Sequence, residues 1–297
     1  MNPLERLRRL LAEKGISQQA ATRILTTAQA CLGFCTVRED HEERIPVGAT
    51  KVGGAADLPQ GAAWPAANGV NFRFIAQFDL GEVSKDLPQS PLPERGLMSF
   101  FWCQEDELGA TPEGVRVLHT PDTATLVRVS DPWAAVPERV GLIRRLWGEK
   151  PSPRGQGFWP CRVELSLKVT IPDPNGPRGI GEELVSKAEF DMIYGGGLEK
   201  ELAAAGVLDV GHRLLGEACP IQGPVEFDAQ WDRNKAGSED EAAQVKAAAA
   251  WRLLLQVIAD DAPEFGFGDL GSIYFMIREV DLVSRRWDQV RVVMQCH

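Results

Sequence analysis

Hydrophobic positions near the N-terminus recur with a helical period. Leu4, Leu7, Leu10 and Leu11 share one face, opposite Arg6, Arg8, Arg9 and Lys14. The spacing predicts two helices within residues 3–30, with a solvated basic face. Pro3 suits a first helical position, Gly15 a stop, and Ser17 the cap of a second helix running to about Ala30. The period then changes. Glycines and prolines in Lys51–Pro59 and Trp64-Pro65 predict a loop. Phe72, Phe74, Ile75, Ala76 and Phe78 predict a strand, with Gln77 inside its apolar run. Residues 81–95 read as a Pro-rich loop, and Gly96–Trp102, Val115–Leu118 and Thr125–Val129 as three further strands.

The middle of the chain, about 130–206, is less regular. A Pro/Gly-rich loop at 148–160 precedes a strand with Val163, Leu165, Leu167, Val169 and Ile171 on one face. Pro172–Gly181 is a turn-rich connection, Gly195-Gly196-Gly197 a joint, and a short helix follows at about 198–205. Further on, Ser238 and Glu241 form a capping box for an Ala-rich helix over about 239–250. Trp251–Ile258 predicts a strand with Gln256 in its apolar run, and Val290–Met294 a last one.

Gly266-Phe267-Gly268-Asp269-Leu270-Gly271 has the spacing of a dinucleotide loop. That fingerprint needs a helix after it. Ser272–Ile277 has a strand pattern instead, so the segment reads as a turn that launches a strand. Asp269, between glycines, is either a turn residue or a carboxylate offered at a strand edge.

The two halves repeat one another. Gly96–Val117 aligns with Gly271–Val292 without a gap, matching Gly96 to Gly271, Phe100 to Phe275, Asp106 to Asp281 and Val115-Arg116-Val117 to Val290-Arg291-Val292. Upstream, Phe74–Phe78 corresponds to Leu253–Val257, and Lys51–Gly54 to Arg213–Gly216. The order predicts an internal duplication: two β-rich lobes about a pseudo-two-fold axis, with the matching glutamines and basic residues facing each other. Lys51, Gln77, Arg213, Gln256 and Asp269 are therefore the candidate ligand-binding residues. The alternative is that Gln77 and Gln256 are buried amides satisfied by nearby backbone, tying a loop down, and that Lys51 and Arg213 are solvated turn residues.

The segments Lys51–Gly54, Leu58-Pro59, Trp64-Pro65, Phe74–Phe78 and Gly96–Phe101 resemble the first half of the bacterial YwqG-like family of unknown function. His212–Gly216, Ile221-Gln222, Trp251–Gln256 and Gly268–Phe275 resemble its second half. The resemblance covers roughly 50–297. It implies an α+β fold, a bacterial cytoplasmic setting and an interaction role, and it carries over no reaction, cofactor or catalytic residue.

Composition narrows the functional classes. A net charge of −10 argues against non-specific nucleic-acid binding. The six cysteines form no C-x-x-C pair, and the four histidines have no ligand spacing, so neither a metal nor another cofactor is expected. No apolar run reaches the ~18 residues of a membrane helix. No G-x-S-x-G element is present.

The expectation is an α+β protein with a mostly antiparallel β architecture. Residues 1–35 form a helical extension and 36–297 the main domain, with pseudo-repeats at about 50–129 and 207–297 around an insert at about 130–206. The expected role is non-catalytic binding or protein interaction in the cytoplasm, without nucleic acid or membrane. The alternative is a small-molecule-binding protein or hydrolase-like enzyme with a pocket between the lobes.

Overall fold

The computed structural model describes residues 3–104, 109, 111–130, 132, 136–137, 153–154, 157–179, 185–194, 197–231 and 240–297. Asp106, Gly195, Gly196, Ser238 and most of the 148–160 loop lie outside them. Two helices open the chain, α1 (Pro3–Glu13) and α2 (Gln18–Thr27). Gly15 between them has φ +71°, and the Ser17 hydroxyl accepts from Ala20 N, so the expected stop and cap are both present.

The second helix ends earlier than its pattern suggests. Strand β1 (Gln29–Arg38) follows almost at once, and the expected boundary between residues 35 and 36 falls inside it. Nine more strands complete one sheet: β2 (Lys51–Val52), β3 (Arg73–Asp79), β4 (Leu97–Trp102), β5 (Val115–Thr120), β6 (Cys161–Thr170), β7 (His212–Leu214), β8 (Trp251–Ile258), β9 (Ser272–Arg278) and β10 (Arg291–Gln295). Lys51–Pro59, expected as a loop, thus contributes β2 and also a short strand, Ala56–Pro59, which pairs with Leu126–Val129 outside the main sheet. The expected 81–95 loop begins with a helix, Leu80–Asp86, capped by the Asp79 carboxylate on Gly81 N.

The order across the sheet is β10-β9-β8-β7-β1-β6-β2-β3-β4-β5, and every pairing within it is antiparallel. The sheet curls into a nearly closed barrel. Six strands separate β4 from β9, yet the rings of Phe100 and Phe275 meet edge to face at 5.2 Å. The main core fills this interior with Phe34, Phe78, Phe100, Phe275, Leu255, Ile273 and their neighbours. Trp287–Gln289 packs beside β5 near the seam.

A second core lies outside the barrel. Leu7, Leu11, Ala20 and Ile24 of the first two helices pack with Val169 of β6, Val207 and Leu208. Ile193 and Leu202, from the helices Lys187–Tyr194 and Gly197–Ala204, complete it. The N-terminal helices therefore cover the middle segment. The architecture is α+β: one large antiparallel sheet with helices on its outside.

The halves of the sheet keep one register. Lys51 lies opposite Gln77 and Arg213 opposite Gln256. Bulges interrupt β3 between Phe74 and Ala76 and β8 between Leu253 and Leu255. Phe100 pairs with Val117, and Phe275 with Val292.

Candidate functional site

Four of the five sequence-selected residues are buried, and each is engaged by its own half of the chain. Lys51 is fully buried. Its Nζ donates to Glu42 Oε1 at 2.6 Å and to the Ala55 carbonyl. Burial lowers its pKa against the opposing pull of Glu42 and Asp57. Arg213 is buried too, donating from Nη1 to the Glu217 carbonyl at 2.9 Å, with Asp209 Oδ1 3.4 Å from Nε.

The glutamines clamp the backbone on either side of these bases. Gln77 Oε1 accepts from Asp57 N at 3.0 Å and its Nε2 donates to the Ala49 carbonyl at 2.9 Å. Gln256 Oε1 accepts from Cys219 N at 2.9 Å and its Nε2 donates to the Gly211 carbonyl at 3.1 Å. A buried amide in an apolar strand is thus satisfied by loop backbone.

The two pairs do not face each other. β6 and β1 stand between β2 and β7, so strands about 4.8 Å apart keep them roughly 14 Å from one another. Asp269 joins neither pair: it sits exposed in the turn before β9, its carbonyl accepting from His297 N at 3.0 Å. The five residues do not line a common pocket between lobes.

The halves differ at the turns being clamped. Asp57 follows Lys51, and Cys219 follows Arg213, at the same distance along the chain. Asp57 is fully buried under Arg128, whose Nε and Nη2 reach its two carboxylate oxygens at 2.9 and 3.2 Å. Arg128 also donates to the carbonyls of Glu42, Ile45 and Pro46. Burial works to raise the Asp57 carboxyl, but Arg128, Lys51, Gly48 N and Gln77 outweigh it and hold the carboxyl below its ordinary range.

At Cys219 there is a cavity instead. It measures about 330 Å³ and lies between residues 170–175, Tyr194, Leu208-Asp209 and Ala218–Pro220. Two carboxylates line it, Asp173 and Asp209. Burial raises the Asp173 carboxyl, opposed by hydrogen bonds from the backbone N–H groups of Asn175 and Gly176.

The rim is anchored from behind. Arg178, just past the cavity loop, donates to Glu217 Oε2 at 2.6 Å, to Glu226 Oε1 at 2.8 Å and to the carbonyls of Ala249 and Trp251. Burial opposes the charge on Arg178, and the two carboxylates outweigh it. Gln256 fixes one wall through Cys219, and Arg213 another through Asp209. Two of the sequence-selected residues therefore support the cavity without lining it. The lining residues carry no motif; the one signal for them in the sequence is the mismatch of Asp57 with Cys219 between the matching halves.

A second polar constellation joins Thr36, His212 and Asp260. Ile258 N donates to His212 Nδ1, so Nε2 bears the proton and donates to Asp260 Oδ2 at 2.9 Å. The Thr36 hydroxyl donates to the same oxygen at 2.5 Å. The hydroxyl meets the carboxylate rather than the imidazole, so His212 is not placed to act as its base. Burial pushes Asp260 up, but His212, Thr36 and Ala262 N hold it down at about 2. The group binds β1, β7 and the end of β8 together.

Fold and site define an α+β protein with a curled antiparallel sheet and a small preformed acidic cavity on one side. The chain belongs to the family of the domain of unknown function DUF1963, whose profile matches residues 50–296. No curated protein matches it. Among the described residues, no helix is long and apolar enough to cross a membrane, and no group of three or more His, Cys, Asp or Glu side chains is arranged to hold a metal ion.

Proposed function

We propose that the protein is a non-catalytic binding protein and that the cavity beside Cys219 is its ligand site. One observation carries this reading: the cavity walls are held by the buried Arg213 and Gln256, which bond loop backbone, and by the half-buried Arg178, which bonds the Trp251 carbonyl and the Glu217 and Glu226 carboxylates. A preformed concave site of a few hundred Å³ is the usual form of a small-ligand pocket. The non-catalytic part of the reading draws on two buried thiols outside the cavity lining, Cys31 and Cys161. Burial pushes the Cys31 and Cys161 thiols up to about 12, far from the thiolate a reaction needs.

The reading includes a duplicated origin for the two halves of the sheet and a YwqG-like relationship within the family. The shared register, the bulges at matching places and the matching Gln clamps support the duplication. It also includes a bacterial cytosolic setting, the cytosolic part of which is supported by cysteines that form no disulfide among the described residues.

The test is a thermal-shift screen of small polar metabolites against the unmodified chain and Cys219→Phe, which fills the cavity. The expected result is stabilisation by one chemical class that is lost in Cys219→Phe. Stabilisation that persists in the filled variant, or none by any class, would contradict the assignment.

A further inference from the structure

We propose that this cavity receives the guanidinium head group of a small molecule, in the position that Arg128 occupies in the first half. The proposal rests on the cavity being the ligand site. Its basis is a comparison within the molecule.

Asp57 and Cys219 are matching positions. Each gives its backbone N–H to the glutamine of the neighbouring strand, Gln77 or Gln256. In the first half, the segment that follows β1, residues 42–46, comes near Asp57. The Arg128 guanidinium fills the gap between them, bound by a carboxylate and three carbonyls. In the second half, the segment that follows β6, residues 171–175, comes near Ala218–Pro220, and the gap is the cavity.

The chemistry of the gap is similar although the residues differ. Cys219 removes the carboxylate that Asp57 supplies. Asp173 and Asp209 bring two carboxylates from other walls, and no Lys, Arg or His is among the described lining residues. Arg213 stands behind Asp209, with its Nε 3.4 Å from Asp209 Oδ1. Asp173 has no cation in hydrogen-bond contact among its described partners, only backbone N–H groups. A half-buried carboxylate in that position favours a cationic partner, and a guanidinium matches it with two parallel hydrogen bonds.

The same comparison argues for a small molecule over an added strand. Arg128 arrives on a strand, Leu126–Val129, paired with Ala56–Pro59. In the second half Pro220 stands where the first has Leu58. Proline has no N–H to offer an incoming strand.

Titration calorimetry of the full chain with agmatine, L-arginine and L-citrulline tests the proposal, because citrulline replaces the guanidinium by a neutral group of nearly the same shape. Agmatine and arginine should bind, with citrulline at least tenfold weaker. Asp173→Asn should weaken arginine at least tenfold. Cys219→Asp, which restores the carboxylate of the first half, should tighten it severalfold. The citrulline ratio and Cys219→Asp decide the matter if Asp173→Asn does not fold.

Equal affinity for citrulline and arginine, or no binding of either cation, would overturn the cationic assignment. A neutral metabolite or inorganic phosphate that stabilises the protein and loses its effect in Cys219→Phe would overturn it while leaving the cavity as the site. Cations whose binding survives Cys219→Phe would overturn both.

Discussion

At the scale of single residues, the buried polar side chains of the sheet act as clamps on loop backbone. Removing Gln77 strands Asp57 N and the Ala49 carbonyl in a buried setting. Gln77→Leu should cost about 2–4 kcal/mol in urea unfolding, because unsatisfied buried groups carry their full desolvation penalty. Gln256→Leu should cost a similar amount and also loosen the cavity wall at Cys219. A loss below about 0.5 kcal/mol for either would show that the clamp is dispensable.

Asp260 gives a pH prediction. Its folded-state pKa, about 2, lies below the ordinary 3.8. Its contribution to stability is therefore complete above pH ~4 and is lost as pH falls from about 4 to 2. Asp260→Asn should be less stable at pH 7 and show a flatter decline over that window, read by denaturant midpoints at each pH. That Lys51, Gln77, Arg213 and Gln256 matter was legible in the sequence, since polar groups in apolar strands need partners. The role of the glutamines was legible too, since a buried amide in an apolar strand is satisfied by nearby backbone and ties a loop down. That of Lys51 and Arg213 was not, because nothing in their spacing distinguishes a buried base from a solvated turn residue. The cavity was illegible for a related reason: its walls come from four separate segments, a strand end, a helix end and two turns, with no motif in common.

At the scale of elements, the strand pattern was readable wherever a strand has one face inward. β6 appears in the sequence as the alternation of Val163, Leu165 and Leu167, of which Val163 and Leu165 pack on the core and Leu167 is exposed. β1 does not. Cys31, Leu32, Gly33 and Phe34 are buried in succession near the middle of the sheet, so no alternation marks the strand, and it follows almost directly on a helix. The helix Leu80–Asp86 was hidden by its shortness and by Pro88, Pro91 and Pro93 after it. The Gly-led strands follow turns, as their sequence predicts, and the structure supplies the reason for the glycines. A Cβ on Gly96 would stand 2.5 Å from the Thr120 carbonyl oxygen, and one on Gly271 would stand 2.0 Å from the Phe267 oxygen and 2.5 Å from the Gln295 oxygen. Gly96 also has φ +99°. Gly96→Ala and Gly271→Ala should each lower stability by about 2 kcal/mol or more. Gly266→Ala, with nothing within 4 Å of its Cβ, should change it little. Melting temperatures of the three variants test the contrast, and equal losses in all three would contradict it.

At the scale of the whole molecule, one curled sheet holds the matching halves together, and the departures from their match are where function is to be sought. The repeated order in the sequence anticipated two similar sets of strands. It did not anticipate that β1 and β6 stand between the basic-glutamine pairs, nor that the N-terminal helices and the middle segment build one outer core beside β6. That core carries Val169 and Leu208 next to the cavity residues Thr170 and Asp209, so the least regular part of the sequence helps form the site. In the first half the corresponding gap is closed by Arg128; in the second it is open. Backbone amide chemical-shift mapping during titration with the metabolite class selected by the thermal screen tests this account most directly. Shifts concentrated at residues 171–175 and 208–219 are predicted, with the amides around Asp57 and Arg128 unmoved. Shifts centred elsewhere, for instance at the open cleft between Ser84–Arg95 and Arg285, would contradict it.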